Sequence, residues 1–350
     1  MRVERQPIDD AMIERYVALS MREYGGGPTI DRVHLHWKYL ENPSGVAIAD
    51  NAWDGEQVVG RIVYQPRLMW RAGARVRAAL VVDLLVDHDR RADGVFMPLI
   101  AQLLRLPEFD LAFFAPNDTS APLYEKLLRL APRQHLDLYA FPTRPHRVLA
   151  SKSAAGARAV APLSGSWRRL TRRRVRRHGA PARFVLSPAH PGDDAVDRLA
   201  ATVQDGQSIV GDRSAAFHRW RFCERAFPYE LRYLSVAGAL AGYVAYREAE
   251  IEGLRVVLIV DLVSNPAFGA RAVSALLWRV IGDADARDAD LVVALSAGDA
   301  AVTRPLRSRP LVRVPRRFAP QRMPLLAREK GGAASLAITF ALTLADFDVF

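Results

Sequence analysis

One cysteine in 350 residues leaves no partner for an internal disulfide and no zinc site built on cysteines. That residue, Cys223, stands among aromatics in the stretch 218–227 and reads as a buried packing residue. Long apolar runs are also missing. Spanning a bilayer takes about 18–20 apolar residues. The nearest candidate, 333–344, is shorter, contains Ser335, Thr339 and Thr343, and reads as a terminal strand. The first sixteen residues scatter charges and have no apolar core, so they do not read as a signal peptide. A cytoplasmic protein is the expectation. Acidic residues are absent from 145–183, which holds 11 arginines and lysines. Outside it, 38 basic residues face 38 acidic ones, so the formal charge of +11 is local to one segment.

What is present is ample apolar content, 50%, in a chain long enough for two domains. Residues 5–24 carry Met12, Ile13, Tyr16, Val17 and Leu19 at helical spacing behind Asp9 and Asp10, which predicts a helix stopped by the Gly25–Pro28 run. A second short helix is expected over 31–43. Strands follow at 46–52 and 57–66 around an Asp54-Gly55 turn, with a further hairpin near Gly73. Residues 78–104 read as a buried strand, a polar turn through Arg91-Ala92-Asp93-Gly94, and an apolar helix from about Val95. A strand at 110–115, a capping turn at 116–120, a helix at 121–130 and a strand at 135–141 complete the first half. The strands 78–86 and 110–115 flank one helix and should pair in parallel. Residues 145–187 read as a linker containing a basic helix.

The second half repeats the first. Trp37-Lys38-Tyr39-Leu40-Glu41 is echoed by Trp220-Arg221-Phe222-Cys223-Glu224, and each is followed by a proline, Pro43 or Pro228. Gly60 is echoed by Gly242, and Val82-Asp83-Leu84-Leu85 by Val260-Asp261-Leu262-Val263. Arg91 then falls opposite Gly269, and Gly94 opposite Ala272. An apolar helix and an apolar strand follow in both copies.

With these motifs in place, the chain resembles bacterial proteins with two tandem domains of the GNAT (GCN5-related N-acetyltransferase) superfamily. The resemblance rests on the WKYLENP entry, Val58–Gly60, Val82-Asp83 leading into Arg91–Phe96, and the 115–120 turn with Leu123-Tyr124. It implies an α/β fold of two GNAT-like domains, 1–144 and 188–350. Each would be a mixed, mostly antiparallel sheet with a central splayed parallel strand pair flanked by helices. It also implies acetyl-CoA or another acyl-CoA as donor, an amine acceptor attacking the thioester directly, and no metal. Carried over by position, Leu85 and Val86 would bond the acyl and pantetheine groups through the main chain. Arg91, Ala92, Gly94 and Val95 would line the pyrophosphate site, and Asn117 would meet the pantetheine arm. Tyr124 would be the general acid. Asp93 departs from the family turn, because a carboxylate there repels a pyrophosphate unless Arg90 and Arg91 offset it. The second turn lacks the final glycine, so the second copy is expected not to bind CoA.

Alternatives stay open for several residues. Asp83 and Asp261 read either as a general base with raised pKa or, since both copies have one, as structural hydrogen-bonding groups. Tyr124 reads as core aromatic or acid. Trp37 and Trp220 read as core or inter-helix packing, with substrate contact the less favoured reading. His34, His36 and His88 lack the spacing of a metal site. Arg168–Arg177 form a face for a solvated linker helix docked on acids, for an anionic membrane surface, or, less favoured, for nucleic acid. The rival to an enzyme is a tandem module that binds without chemistry.

Overall fold

Hydrogen bonding joins 16 strands into one continuous sheet that both halves of the chain share. The computed structural model describes residues 1–26, 30–118, 120–151, 153–179, 184–204, 206–224, 228–330 and 338–347. The first half opens with strand β1 (Arg2–Pro7), where the sequence had suggested the start of a helix. Helix α1 (Asp10–Tyr24) begins only after Asp9, whose carboxylate accepts the Met12 N–H at 2.8 Å. Gly25, at φ 63°, ends it in the left-handed region; residues 27–29 lie outside the described set. Helix α2 (Arg32–Tyr39) is capped by Asp31 and stops four residues short of the expected end.

Strands β2 (Ile48–Asp54), β3 (Gln57–Arg71) and β4 (Ala74–Val86) form an antiparallel meander with β1. The hairpin expected near Gly73 joins β3 and β4 directly, so β4 starts earlier than residue 78. A 3-10 turn (His88–Asp93) and helix α3 (Phe96–Gln102) lead to β5 (Leu111–Phe114), which pairs with β4 in parallel as expected. Helix α4 (Ala121–Leu128) follows. After the two-residue β6 (Gln134–His135), β7 (Asp137–Pro142) leaves the first half.

The expected linker is helical through much of its length: α5 (Pro145–Ala150), α6 (Ala154–Val160) and α7 (Ser164–His178). Helix α7 is the basic helix, and its inner face is pinned by acids. Arg172 Nε lies 2.7 Å from Asp285, Arg168 reaches the same carboxylate at 3.4 Å, and buried Arg144 pairs with Asp285 at 2.7 Å. The second half contains β8 (Val185–Ser187), α8 (Asp193–Ala201), β9 (Ile209–Gly211) and α9 (Ala215–His218), then a π-turn over Arg219–Cys223. Strands β10 (Glu230–Val236), β11 (Ala239–Ile251) and β12 (Leu254–Ser264) form its meander. Helix α10 (Gly269–Ala286) leads to β13 (Leu291–Ala297), parallel to β12. Three strands complete the chain: β14 (Val312–Arg313), β15 (Pro324–Glu329) and β16 (Phe340–Thr343).

The repeated glycines have one physical reason. A β-carbon on Gly60 would stand 2.9 Å from Leu99 Cδ1 of α3, and one on Gly242 would stand 2.6 Å from the Val263 carbonyl and 3.2 Å from Leu276 Cδ1 of α10. In each copy the sheet and its crossover helix pack too closely for a side chain. Where the halves meet, Trp37 stacks on Trp220 with ring centroids 4.7 Å apart. Each indole N–H donates to the other's main-chain carbonyl, at 2.9 and 3.1 Å. The packing role expected of the pair is thus a reciprocal clasp between copies. The halves also exchange strands. β7 pairs antiparallel with β13 of the second copy, and β15 returns to pair with β5 of the first.

Candidate functional site

In the first copy the parallel pair separates early. β4 and β5 pair only from Ala78–Leu80 to Leu111–Phe113. Beyond that point β5 keeps β15 on its outer edge, but its inner edge parts from β4. A cavity of about 650 Å³ fills the gap. One wall is Val81–Val86 and the other Phe114–Asn117, with Tyr24, Arg91, Phe96, Ser120 and Tyr124 around the mouth. Beyond Leu80 no strand among the described residues pairs with this side of β4, which borders the cavity.

Six residues singled out in the sequence meet here: Asp83, Leu85, Val86, Arg91, Asn117 and Tyr124. Ala92, Gly94 and Val95 do not line the cavity. Gly94 takes φ 72°, which explains glycine at that position, and Val95 is buried against the sheet. Asn117 accepts the Ser120 N–H at 2.9 Å, closing the turn before α4. Tyr124 is buried against Phe114 at 4.6 Å, and its hydroxyl makes no hydrogen bond among the described residues. Burial raises its pKa, so it stays protonated at physiological pH.

Asp83 sits on a bulge of β4 at φ 51°, a conformation rare for a residue other than glycine. Its carboxylate accepts hydrogen bonds from Lys38 Nζ at 2.5 Å and from the Tyr39 hydroxyl. The ammonium pairs with the carboxylate directly. The polar turn is more acidic than a phosphate site requires. Arg91 is held by Glu23 at 2.5 Å, and its Nε donates to the Val86 carbonyl at 3.4 Å. Asp93 is paired with Arg90 at 3.3 Å, the compensation its position calls for. Glu23, in α1, was not singled out in the sequence; nothing in the local pattern ties it to residue 91.

The second copy closes the same gap. β13 carries β7 on its outer edge as far as Ser296. Its inner edge pairs with β12 to Ala294 and then with β16, Ser296 opposite Thr343 and Ala297 opposite Leu342. The segment 340–347 therefore lies inside the fork. Asp261, the counterpart of Asp83, is fully buried there. It accepts from Tyr243 OH at 2.7 Å and from Thr343 Oγ1 at 2.8 Å. Arg213 lies 2.7 Å from both Asp261 and Asp346. Burial opposes the charge on Arg213, but the two carboxylates outweigh it and hold its pKa well above the ordinary value. A β-carbon on Gly211 would stand 1.7 Å from Asp346 Oδ1, and one on Gly298 would stand 1.8 Å from the Phe340 carbonyl. The neighbouring main chain is cut to fit this segment.

No family model matches the sequence, and no curated protein matches it. Among solved structures, it is similar to a probable N-acyltransferase of unknown function from Enterococcus faecalis V583. That match has a TM-score of 0.61 and 14% identity, over 94% of this chain and 72% of that one. A GCN5-related N-acetyltransferase from Anabaena variabilis matches with a TM-score of 0.60 and 15% identity, over 94% and 73%. N-myristoyltransferase from Saccharomyces cerevisiae, solved with bound myristoyl-CoA, matches with a TM-score of 0.55 and 11% identity, over 97% and 89%. The chain shares the mixed α/β fold of these GCN5-related acyltransferase structures over most of its length.

Proposed function

We propose that the first copy is an acyl-CoA-dependent N-acyltransferase, with acetyl-CoA or another acyl-CoA as donor and a small-molecule amine as acceptor. The observation that carries this reading is the open fork between β4 and β5. It is a slot between two separated parallel strands with a protonated tyrosine at its mouth. The amine nitrogen attacks the thioester carbonyl, the C–N bond forms and the C–S bond breaks. The main-chain N–H of Val86 polarises the carbonyl, a contribution of roughly 3–4 kcal/mol for one such donor; the main chain of Leu85, expected to share this role, faces Gly60 of β3 instead. Tyr124 gives its proton to the leaving thiolate, and the amine's proton goes to solvent. Asp83 enters as the group that fixes Lys38 and Tyr39 beneath the bulge, and not as the base. Arg91 receives the pyrophosphate after giving up Glu23, with the main chain of Ala92, Gly94 and Val95 alongside.

Calorimetry with acetyl-CoA and longer acyl-CoAs tests the reading. Binding at micromolar to submillimolar concentration is expected, with at least a 10-fold loss in Arg91→Glu. No binding up to millimolar concentration would end it. The competing reading, a module that binds without chemistry, is favoured by Glu23's hold on Arg91. It predicts ligand binding with no thiol release against a panel of amines.

The outer face of α7 supports a second contact. Arg169, Arg173, Arg174, Arg176 and Arg177 are exposed and make no ion pair among the described residues, and Leu170 is exposed beside them. We assign this face to anionic lipid head groups, each arginine contributing about 1 kcal/mol near such a surface. No helix among the described residues is long and apolar enough to cross a membrane. Co-sedimentation with phosphatidylserine vesicles, lost in a variant with these arginines changed to serine, is the expected result. Binding to duplex DNA or RNA instead of vesicles would reassign the face.

A further inference from the structure

Cys223 does not pack in the core as its aromatic surroundings suggested; it is exposed. It stands at the end of the π-turn after α9, a rare element that is frequent at functional sites. There the Glu224 N–H bonds the Arg219 carbonyl at 2.9 Å. The turn brings Cys223 over His218, five residues earlier, with Sγ 3.8 Å from His218 Nδ1. His218 is fully buried, and its other nitrogen faces the Tyr233 hydroxyl at 3.4 Å. His190, on the exposed turn before α8, stacks edge-on against His218 with centroids 5.4 Å apart. One ligand atom from each of His190, His218 and Cys223 falls within 4.8 Å of the others. In the first copy the positions of His218 and Cys223 are Leu35 and Leu40, so apolar residues satisfy this place in the fold.

We propose that His190, His218 and Cys223 form a zinc site with one position open to water. The donor set is two imidazoles and one thiolate, suited to a borderline-soft divalent ion. Bonds of about 2.0–2.3 Å at tetrahedral angles put ligand atoms about 3.3–3.8 Å apart. His218 and Cys223 already meet that spacing. His190 lies within 4.8 Å of both and has to close what remains of that gap; among the described residues its Nδ1 accepts one hydrogen bond, from the Gly192 N–H at 3.2 Å. With an ion on Nδ1, His218 would donate its Nε2–H to the Tyr233 hydroxyl 3.4 Å away, as an outer-shell partner of a metal ligand does. The ion would clamp the 188–192 turn onto α9. A single cysteine is enough for such a site, contrary to the exclusion drawn from the cysteine count. The other close group among the described residues, Glu23, Asp87 and His88, is already neutralised by Arg22 and Arg91.

The test is competition for zinc between the purified chain and a chromophoric chelator, followed by cobalt substitution. One ion per chain is expected, with a thiolate-to-cobalt charge-transfer band and a Tm that rises with added zinc. Cys223→Ser should remove the band, and both it and His190→Gln should weaken binding at least 10- to 100-fold. Both positions are exposed, and unchanged metal-free melting will show that the variants fold. Zinc affinity no better than millimolar in the wild type, or equal affinity in the variants, would overturn the proposal.

Discussion

The two copies run the same strand order and differ in what occupies the fork. In the first, β4 and β5 part around a cavity of about 650 Å³. In the second, β12 and β13 part around β16 and the residues after it. The equivalent aspartates follow suit: Asp83 borders the cavity and accepts a hydrogen bond from Lys38, whereas Asp261 is sealed in an Arg213–Asp346 network. Splaying a parallel pair leaves main-chain groups unsatisfied. A fold can leave the space open or fill it with its own chain, and this protein does one in each half.

Breaking the filled fork should have the largest effect. Asp346→Ala leaves Arg213 buried with one carboxylate fewer and is expected to cost about 3–5 kcal/mol in chemical denaturation. A cost below about 1 kcal/mol would mean the segment is loosely seated. On the open side, Tyr124→Phe should lower kcat by about 10²–10³-fold with acyl-CoA affinity unchanged, as loss of a general acid does. An unaltered kcat would return Tyr124 to the core aromatics. Gly60→Ala tests the packing both forks share. Its methyl meets Leu99 and Val95, and about 1–3 kcal/mol of destabilisation is expected.

A smaller effect concerns the helix between the copies. Burial works against the charge of Asp285, but hydrogen bonds from Arg172 and Arg144 outweigh it and hold its pKa below the ordinary aspartate value. The stability it lends to α7 is therefore present above about pH 4, the unfolded value, and is lost as pH falls through the folded one. An acid-induced change in tryptophan fluorescence, from Trp167 on α7, should be present in the wild type and absent in Asp285→Asn. Changing Arg173 and Arg177 to serine should alter stability by less than about 0.5 kcal/mol.

The repeat, the parallel pair and the meeting of Asp83, Leu85, Val86, Arg91, Asn117 and Tyr124 were legible in the sequence. Local patterns carry them: alternation in the strands, glycine where helix meets sheet, a capping turn after β5. The strand exchange was not legible, because alternation in 135–141 gives a buried face but not a partner edge. Nor was the filling of the second fork. The sequence pointed to the missing glycine at Ala272, whereas Ala272 is buried in α10 and the second fork is filled by a segment about 70 residues further on. Asp83 and Asp261 looked alike because their partners, Lys38 and Arg213, lie about 45 residues away in each case.

The central claim is that one fork takes an acyl-CoA and the other is already filled. Titration calorimetry of acetyl-CoA into the wild type and Ala115→Trp, which places an indole in the first cavity, tests it directly. The account predicts one site per chain in the wild type and none in the variant. Two sites per chain, or a site that survives Ala115→Trp, would contradict it.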